Sequence, residues 1–580
     1  MNKKAKKVLS IIILTILIFM SCVKFNGSNS VFAQQNILPS GITYDEINQK
    51  IDDFLNEHKD NNAAVATAVF SGETDIYKKY FGVLNAGGLT LDETSVLEWG
   101  STSKLLVWLS AYQLVEKGSL DLNADIKTYL PEGFLRNLKF DKKITMLDLM
   151  NHSAGFQETT FVLEVEDEKD IIPLGEYLKK YQPIQVFEPG SVVAYSNWGA
   201  ALAGYIVECI SGMEYYNYVK TNIFTPLGMN HTAINSSLDD NEYVQEKRKD
   251  FVSYMPDGTL SEENNKVYIL PYPAGMCTST LDDFVTFAKA LLVKDSRLLT
   301  LDSFNNMYSP SLYYTGTNVA RVCHGFLVDY DFNVAVIGHD GNTMGGSSRL
   351  MLDFENNIGM VMLTNQLGGN VYRTKMAEIV FGTAERTTEI DGYYIPARNV
   401  FVGKQKLFYN RGLIDACHIT SKMLGNMYVN VISDRFEIST CDYLVPTHNY
   451  QLEDTIATIW FILTVYSFIS LLSRLIFMAI CLIKKHKYNI QYIISIVYNA
   501  LVAFSIINLL PSIPALFALI YTIILSLATI GMIIYLILKA KEMIADKNGL
   551  FNFINIVTLF VVFAVTILNV IIWNLTYLGA

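Results

Sequence analysis

Glu98-Trp99-Gly100-Ser101-Thr102-Ser103-Lys104 runs directly into Leu105-Leu106-Val107-Trp108-Leu109. Leu105, Trp108, Leu109 and Tyr112 stand at i, i+3, i+4 and i+7, which predicts a helix with one core face, ending at Gly118. Ser101 and Lys104 open that helix three residues apart, so they share a face at about 5–6 Å between Cβ atoms. The spacing sets an amine beside a hydroxyl. A serine hydroxyl alone is a weak nucleophile, and a neighbouring base is one way to activate it. Ser103 is one step from the lysine and points elsewhere on the helix, so Ser101 is the candidate nucleophile. The tetrad alone decides little, because about two S-x-x-K matches arise by chance in a chain of this length. The flanking sequence has to supply the rest of a site.

Upstream, residues 44–58 carry Ile47, Ile51, Phe54 and Leu55 at helical spacing. The run 63–70 reads as a buried strand, Ser71-Gly72 as a turn and 76–80 as a second strand. Downstream, 144–150 leads into a loop at Asn151-His152-Ser153. No acid stands at a useful spacing from His152, which reads as a structural histidine. Phe187-Glu188-Pro189-Gly190 is turn chemistry. It delivers the chain to Tyr195-Ser196-Asn197 and a helix with Leu202, Tyr205, Ile206 and Cys209 inward. Asn197 reads either as the N-cap of that helix or as a site residue. The stretch 235–270 is polar and irregular, as a surface insertion is, and 281–292 is helical. Strands are expected at 325–330, 333–337, 349–353 and 359–364, with Gly338-His339-Asp340-Gly341 and Gly345-Gly346-Ser347 between them and Asn356-Asn357 at a hairpin turn. Sheet at both ends with helices between them is α+β, not a βαβ series.

Of the 580 residues, those from about 35 to 450 have a globular composition, and 455–578 are mostly apolar. The net charge of −11, with no basic stripe, argues against a nucleic-acid partner. Seven scattered cysteines without a C-x-x-C pair argue against a structural zinc site or a disulfide-dense scaffold; Cys417 and Cys441, in one segment, read as free thiols, with a pairing between them as the alternative in an exported protein. There is no His-Glu-x-x-His, and neither a metal nor a cofactor is expected. Residues 1–33 have the pattern of a signal peptide: Lys3, Lys4, Lys6 and Lys7, an apolar middle, then Val31-Phe32-Ala33. A lipoprotein leader modified at Cys22 is the alternative. Residues 386–454 are expected to form a small β-rich extension or linker. Four spans fit 455–578, at about 456–483, 488–510, 513–538 and 551–577. Lysine loops at 484–487 and 539–547 then face the cytoplasm, and both the 40–385 domain and the C-terminus lie outside. Arg474, inside the first span, is either a functional residue or a snorkelling one.

Three polar spots, Ser101/Lys104, Tyr195/Asn197 and His339/Gly341, now stand in order. With their flanks at 144–155, 188–197, 224–229, 275–283 and 338–365, they resemble the serine β-lactamase and penicillin-binding protein superfamily. Within it they are similar to the class C β-lactamase-like hydrolases, whose signatures are S-x-x-K, Y-x-N and K/H-x-G. The resemblance covers about residues 40–385. It implies an antiparallel sheet flanked by a helical subdomain, followed here by a four-helix transmembrane region. It also implies Ser101 as nucleophile, Lys104 as base and Tyr195, its phenol kept acidic by the lysine, as proton carrier. Asn197 would hold Lys104 or the substrate amide. The N–H groups of Ser101 and of Asn342, just past Gly341 on an edge strand, would bind an oxyanion. His339 stands where many relatives carry lysine.

The expected activity is hydrolysis of an amide or ester through an acyl-enzyme by an exported, membrane-anchored protein. Its expected partners are a peptide, acyl-amino-acid or β-lactam-type substrate and the lipid bilayer. Oligomeric state is not legible. One alternative is an N-acyl-D-amino-acid prodrug-cap peptidase, a group that shares the plan but usually has three spans. Another is a non-catalytic penicillin-binding sensor or envelope-binding protein.

Overall fold

The structure is a computed structural model that describes residues 36–445 except 62, 159–162, 262–266, 387 and 399–416, with scattered positions from 462 to 496. The expected signal peptide at 1–33 and the four expected spans, Arg474 included, lie outside the described residues apart from those positions. Among the described residues no helix is long and apolar enough to cross a membrane.

Helix α1 (Tyr44–Glu57) starts at a capping box. The Thr43 hydroxyl accepts the Glu46 N–H, and the Glu46 carboxylate accepts the Thr43 N–H at 2.8 Å. Ile47, Ile51, Phe54 and Leu55 are buried, as their spacing predicts. They cover one face of an eight-stranded antiparallel sheet. Its strands are β1 (Val65–Ser71), β2 (Thr74–Phe81), β3 (Leu312–Tyr313), β4 (Ala320–Cys323), β5 (Phe326–Asp329), β6 (Val336–Asn342), β7 (Ser347–Asp353) and β8 (Ile358–Thr364), in the order β2-β1-β8-β7-β6-β5-β4-β3. β1 pairs with β8 from Val65↔Thr364 to Ser71↔Ile358, so the two ends of the domain close one sheet. Val65 and Val69 point to the α1 side, and Ala66, Ala68 and Phe70 to the other. With both faces covered, β1 is an unbroken apolar run rather than an alternating one.

The second face carries the helical layer. Helix α2 (Lys104–Glu116) is buried at every position from Lys104 to Leu114. The single core face expected for it is therefore too narrow: it is the central helix, packed on all sides. It lies against α3 (Asn197–Ser211). α4 (Leu281–Leu292) runs beside β1 and β8. α5 (Asn370–Phe381) packs with α1 on the opposite face of the sheet. The stretch 235–270 is not only a surface insertion. It carries Arg248, whose guanidinium is buried on Glu98, three residues before Ser101.

The C-terminal β unit has five strands: β9 (Asp391–Pro396), β10 (Cys417–Thr420), β11 (Asn430–Ile432), β12 (Arg435–Glu437) and β13 (Asp442–Leu444), in the order β10-β9-β13-β12-β11. It docks on the preceding α+β domain through backbone and charge. Tyr195 donates its N–H to the Thr440 carbonyl at 3.1 Å, and Asp442 donates its N–H to the Val193 carbonyl at 2.9 Å. Arg321 and Asp442, each 2% exposed, form an ion pair at 2.7 Å. The Glu437 carboxylate accepts the Thr315 N–H at 2.8 Å. Cys441, in this seam, is a buried free thiol.

Candidate active site

Gly100–Ser103 is a turn of 3₁₀ helix that leads into α2. In that geometry residues i and i+3 eclipse, and Lys104 Nζ comes to 2.9 Å from Ser101 Oγ. Lys104 also donates to Asn197 Oδ1 at 2.8 Å and to the Ala274 carbonyl at 2.7 Å. These two oxygens can only accept. They use the two N–H bonds of a neutral amine and leave its lone pair for the Ser101 hydroxyl. Burial pushes the Lys104 pKa well below the ordinary lysine value, opposed by the Glu158 carboxylate and reinforced by Arg398. Ser103 is turned away: its hydroxyl donates to the Gly100 carbonyl at 2.6 Å and accepts the Cys277 N–H at 3.1 Å.

Ser196, not Asn197, caps α3: its hydroxyl accepts the Gly199 N–H at 2.9 Å. Asn197 is the first helical residue, and its side chain serves Lys104. Its N–H donates to Glu158, a carboxylate fully buried at the start of α3. Tyr195 lies among four rings and cations. The His152 ring lies tilted against it at 4.3 Å between centroids, Lys104 Nζ sits 4.9 Å from the phenol ring and the Arg398 guanidinium 5.1 Å from it. The Tyr195 hydroxyl is 3.5 Å from His339 Nε2. Burial raises the Tyr195 pKa, against the effects of Ser101 and Arg398. The expected acidic phenol is thus overturned: desolvation outweighs the Ser101 hydrogen bond and the Arg398 charge. His152 holds a left-handed backbone (φ 53°) and accepts the Ser196 N–H at Nδ1, a scaffold role beneath the tyrosine.

The third spot is the end of β6. This strand is interior, between β5 and β7, not at the sheet edge as expected. Its pairing with β5 stops at Gly338, so His339–Asn342 run on beside the cleft. The close approach here demands glycine twice. A Cβ on Gly341 would lie 1.8 Å from the Trp99 carbonyl oxygen, and one on Gly100 (φ +52°) would lie 2.7 Å from the Asn342 nitrogen. Backbone thus meets backbone where Ser101 and Asn342 face one cleft of about 570 Å³. His339 Nδ1 is 2.5 Å from the Asp340 carbonyl, which can only accept, so Nε2 is the unprotonated nitrogen. Burial, then Lys104, lowers the His339 pKa to about 4. Asp340, which also lines the cleft, is bound by Arg349 at 2.6 and 2.7 Å, and Arg349 holds it at about 2 despite burial.

All seven expected site residues therefore gather at one place, five of them (Ser101, Tyr195, Asn197, His339 and Asn342) lining the cleft, with Lys104 beneath Ser101 and Gly341 beneath Asn342. Sequence reasoning missed three contributors. Ala274 acts through a backbone carbonyl, which no side-chain pattern reports. Glu158 sits in a loop without a motif. Arg398 belongs to the C-terminal β unit, whose Pro396, Ser439, Thr440, Cys441 and Tyr443 wall the same cleft. Among the described residues no three His, Cys, Asp or Glu side chains converge as metal ligands would.

The chain is 27% identical over 321 residues to penicillin-binding protein 4* of Bacillus subtilis (strain 168), covering 50% of this chain and 66% of that protein. It is 31% identical over 173 residues to a putative D-alanyl-D-alanine carboxypeptidase of Salmonella schwarzengrund (strain CVM19633), covering 27% of this chain and 38% of that one. The match thus spans at most about two thirds of these relatives' length. A solved D-amino acid amidase from Ochrobactrum anthropi SV3 superposes with a TM-score of 0.49 at 21% identity, covering 58% of this chain and 99% of the amidase. The Beta-lactamase family model matches residues 47–385, more than half of the 580, and the chain belongs to that family.

Proposed function

We propose that this protein is a serine hydrolase that opens an amide or ester bond through an acyl-enzyme on Ser101. The observation that carries the reading is Lys104 Nζ at 2.9 Å from Ser101 Oγ, with its other two contacts committed to Asn197 and Ala274. Lys104 takes the hydroxyl proton as Ser101 Oγ bonds to the substrate carbonyl carbon. The N–H groups of Ser101 and Asn342 hold the resulting oxyanion. Tyr195, a neutral phenol, donates its proton to the leaving nitrogen or oxygen and regains one from Lys104. Water then attacks the ester, with Lys104 or Tyr195 as its base, and Ser101 regains its hydrogen. A carboxypeptidase type of reaction, as named for the Salmonella relative, is the first class to test. The signal-peptide-like pattern of residues 1–33 and the apolar composition of 455–578 are what support an extracytoplasmic, multi-pass membrane setting.

Intact-mass analysis with a fluorophosphonate and a penicillin tests the chemistry. One covalent adduct on Ser101, absent in Ser101→Ala, is expected. Turnover that survives Ser101→Ala with no adduct in the parent protein sinks the reading. Resistance of the full chain to alkaline extraction from membranes tests the anchoring.

A further inference from the structure

The family match ends at residue 385, yet a wall of the cleft comes from residues beyond it. That wall is built firmly. β9 pairs with β13 through Ile395↔Leu444 and Pro396↔Tyr443. The Ala397 N–H then donates to the Asp442 carbonyl at 2.8 Å, and the Ala397 carbonyl accepts from Gln157 at 3.3 Å. The next residue, Arg398, donates its backbone N–H to Cys441 Sγ at 3.4 Å. Its side chain is delivered over the Tyr195 ring and into the cleft.

The charges around it are unevenly met. Arg398 Nε is buried without a hydrogen-bond partner. The nearest carboxylate, Glu158, is 3.9 Å from Nη2, a loose ion pair, and is fully buried behind Asn197. The Arg398 side chain remains 32% exposed. Among the described residues no other Lys or Arg side chain lines the cleft. Lys104 is saturated beneath Ser101, and Arg349 and Arg373 are turned to Asp340. His339, at the position where a relative's lysine would stand, is neutral above about pH 4. Asp329 also lines the cleft, and its burial beside Asp331 favours the protonated form.

We propose that Arg398, supplied by the C-terminal β unit, is the anchor for a carboxylate on the substrate's leaving-group side. This rests on the hydrolase reading. A guanidinium fork with an uncommitted edge suits a carboxylate, and the Ser439 and Thr440 hydroxyls line the same wall. The selectivity of the site is then set by a segment outside the family domain. The preferred substrate ends in a free carboxylate close to the bond that is cut.

Calorimetry on the full chain carrying Ser101→Ala separates this from the hydrolase reading, since no turnover is needed. The ligands are N-acyl dipeptides, N-acetyl-D-alanyl-D-alanine among them, each as the free acid and as the C-terminal amide. The acid should bind more tightly than its amide. Arg398→Gln should collapse the acid-to-amide affinity ratio by on the order of 10- to 100-fold, the range of a charge-assisted hydrogen bond. Arg398→Lys, which keeps the charge but not the fork, should restore part of the ratio and guards against misfolding of the glutamine variant. An amide preference, no acid bound in any pair, or a ratio unchanged by Arg398→Gln overturns the assignment. Failure of Ser101 to take a fluorophosphonate would instead count against the hydrolase reading and leave this binding result standing.

Discussion

Arg321→Met tests whether the C-terminal β unit is part of the catalytic body. Arg321 and Asp442 are each 2% exposed and lie 2.7 Å apart, but Asp442 Oδ1 and two guanidinium nitrogens fail hydrogen-bond geometry. The contact is a buried ion pair with poor alignment. Removing one partner of a buried pair typically destabilises by about 3–5 kcal/mol, because the other charge stays buried. Asp442 keeps Arg435 at 3.1 Å and the Val193 N–H at 3.1 Å, which offset part of that loss. About 2 kcal/mol is the expected net effect. Over a body of roughly 400 residues this lowers the melting midpoint by about 2–3 °C. Because Asp442 also donates its N–H to Val193, two residues before Tyr195, the change should loosen the tyrosine segment. Protease cleavage between β8 and β9 should become faster, and Ser101 acylation slower. The double change Arg321→Met with Asp442→Asn should recover part of the midpoint, since the unmatched carboxylate charge is then gone while Arg435 keeps an amide oxygen beside it and its contact with Asp434 at 3.6 Å. A midpoint within about 0.5 °C of the parent, with unchanged protease resistance, would show that the seam contributes nothing to stability.

Two further tests concern protonation. kcat/KM for an ester should rise with pH to a plateau below the ordinary lysine range, because Lys104 must lose its proton and burial lowers its pKa. Lys104→Arg should remove that limb together with roughly 10²- to 10⁴-fold of the rate, and a limb that stays in place in the variant refutes Lys104 as base. Burial, with Asp331 adjacent, raises the Asp329 pKa. The folded state therefore holds a proton that the unfolded chain has released, and stability falls as pH rises above the ordinary aspartate range. Asp329→Asn should raise the melting midpoint more at pH 8 than at pH 4.5, and an equal shift at both would contradict this reading.

Much of this protein was legible because its signals are local. Ile47, Ile51, Phe54 and Leu55 repeat at the helical period, and α1 follows from them. Ser101 and Lys104 are one helical turn apart, so their contact at 2.9 Å is close to fixed by the backbone. The order of the three polar spots named the family domain from letters alone and picked out residues that the fold gathers at one cleft. What local pattern cannot carry is direction in space and the sum of distant charges. Asn197 as a partner of Lys104 rather than a helix cap was settled by Ser196 taking the cap. The place of β6 inside the sheet depends on a pairing with β5 that ends at Gly338. The Tyr195 pKa moved opposite to expectation because desolvation arises from every element that packs around the ring. Glu158 and Arg398 left no motif, because each reaches the site from an irregular segment, Arg398 on a strand unit 294 residues beyond Lys104 in sequence. The Ser101–Lys104 pair was therefore determined by the sequence itself through short-range geometry. The charge that faces the cleft was decided only by tertiary packing, since burial and long-range neighbours set it.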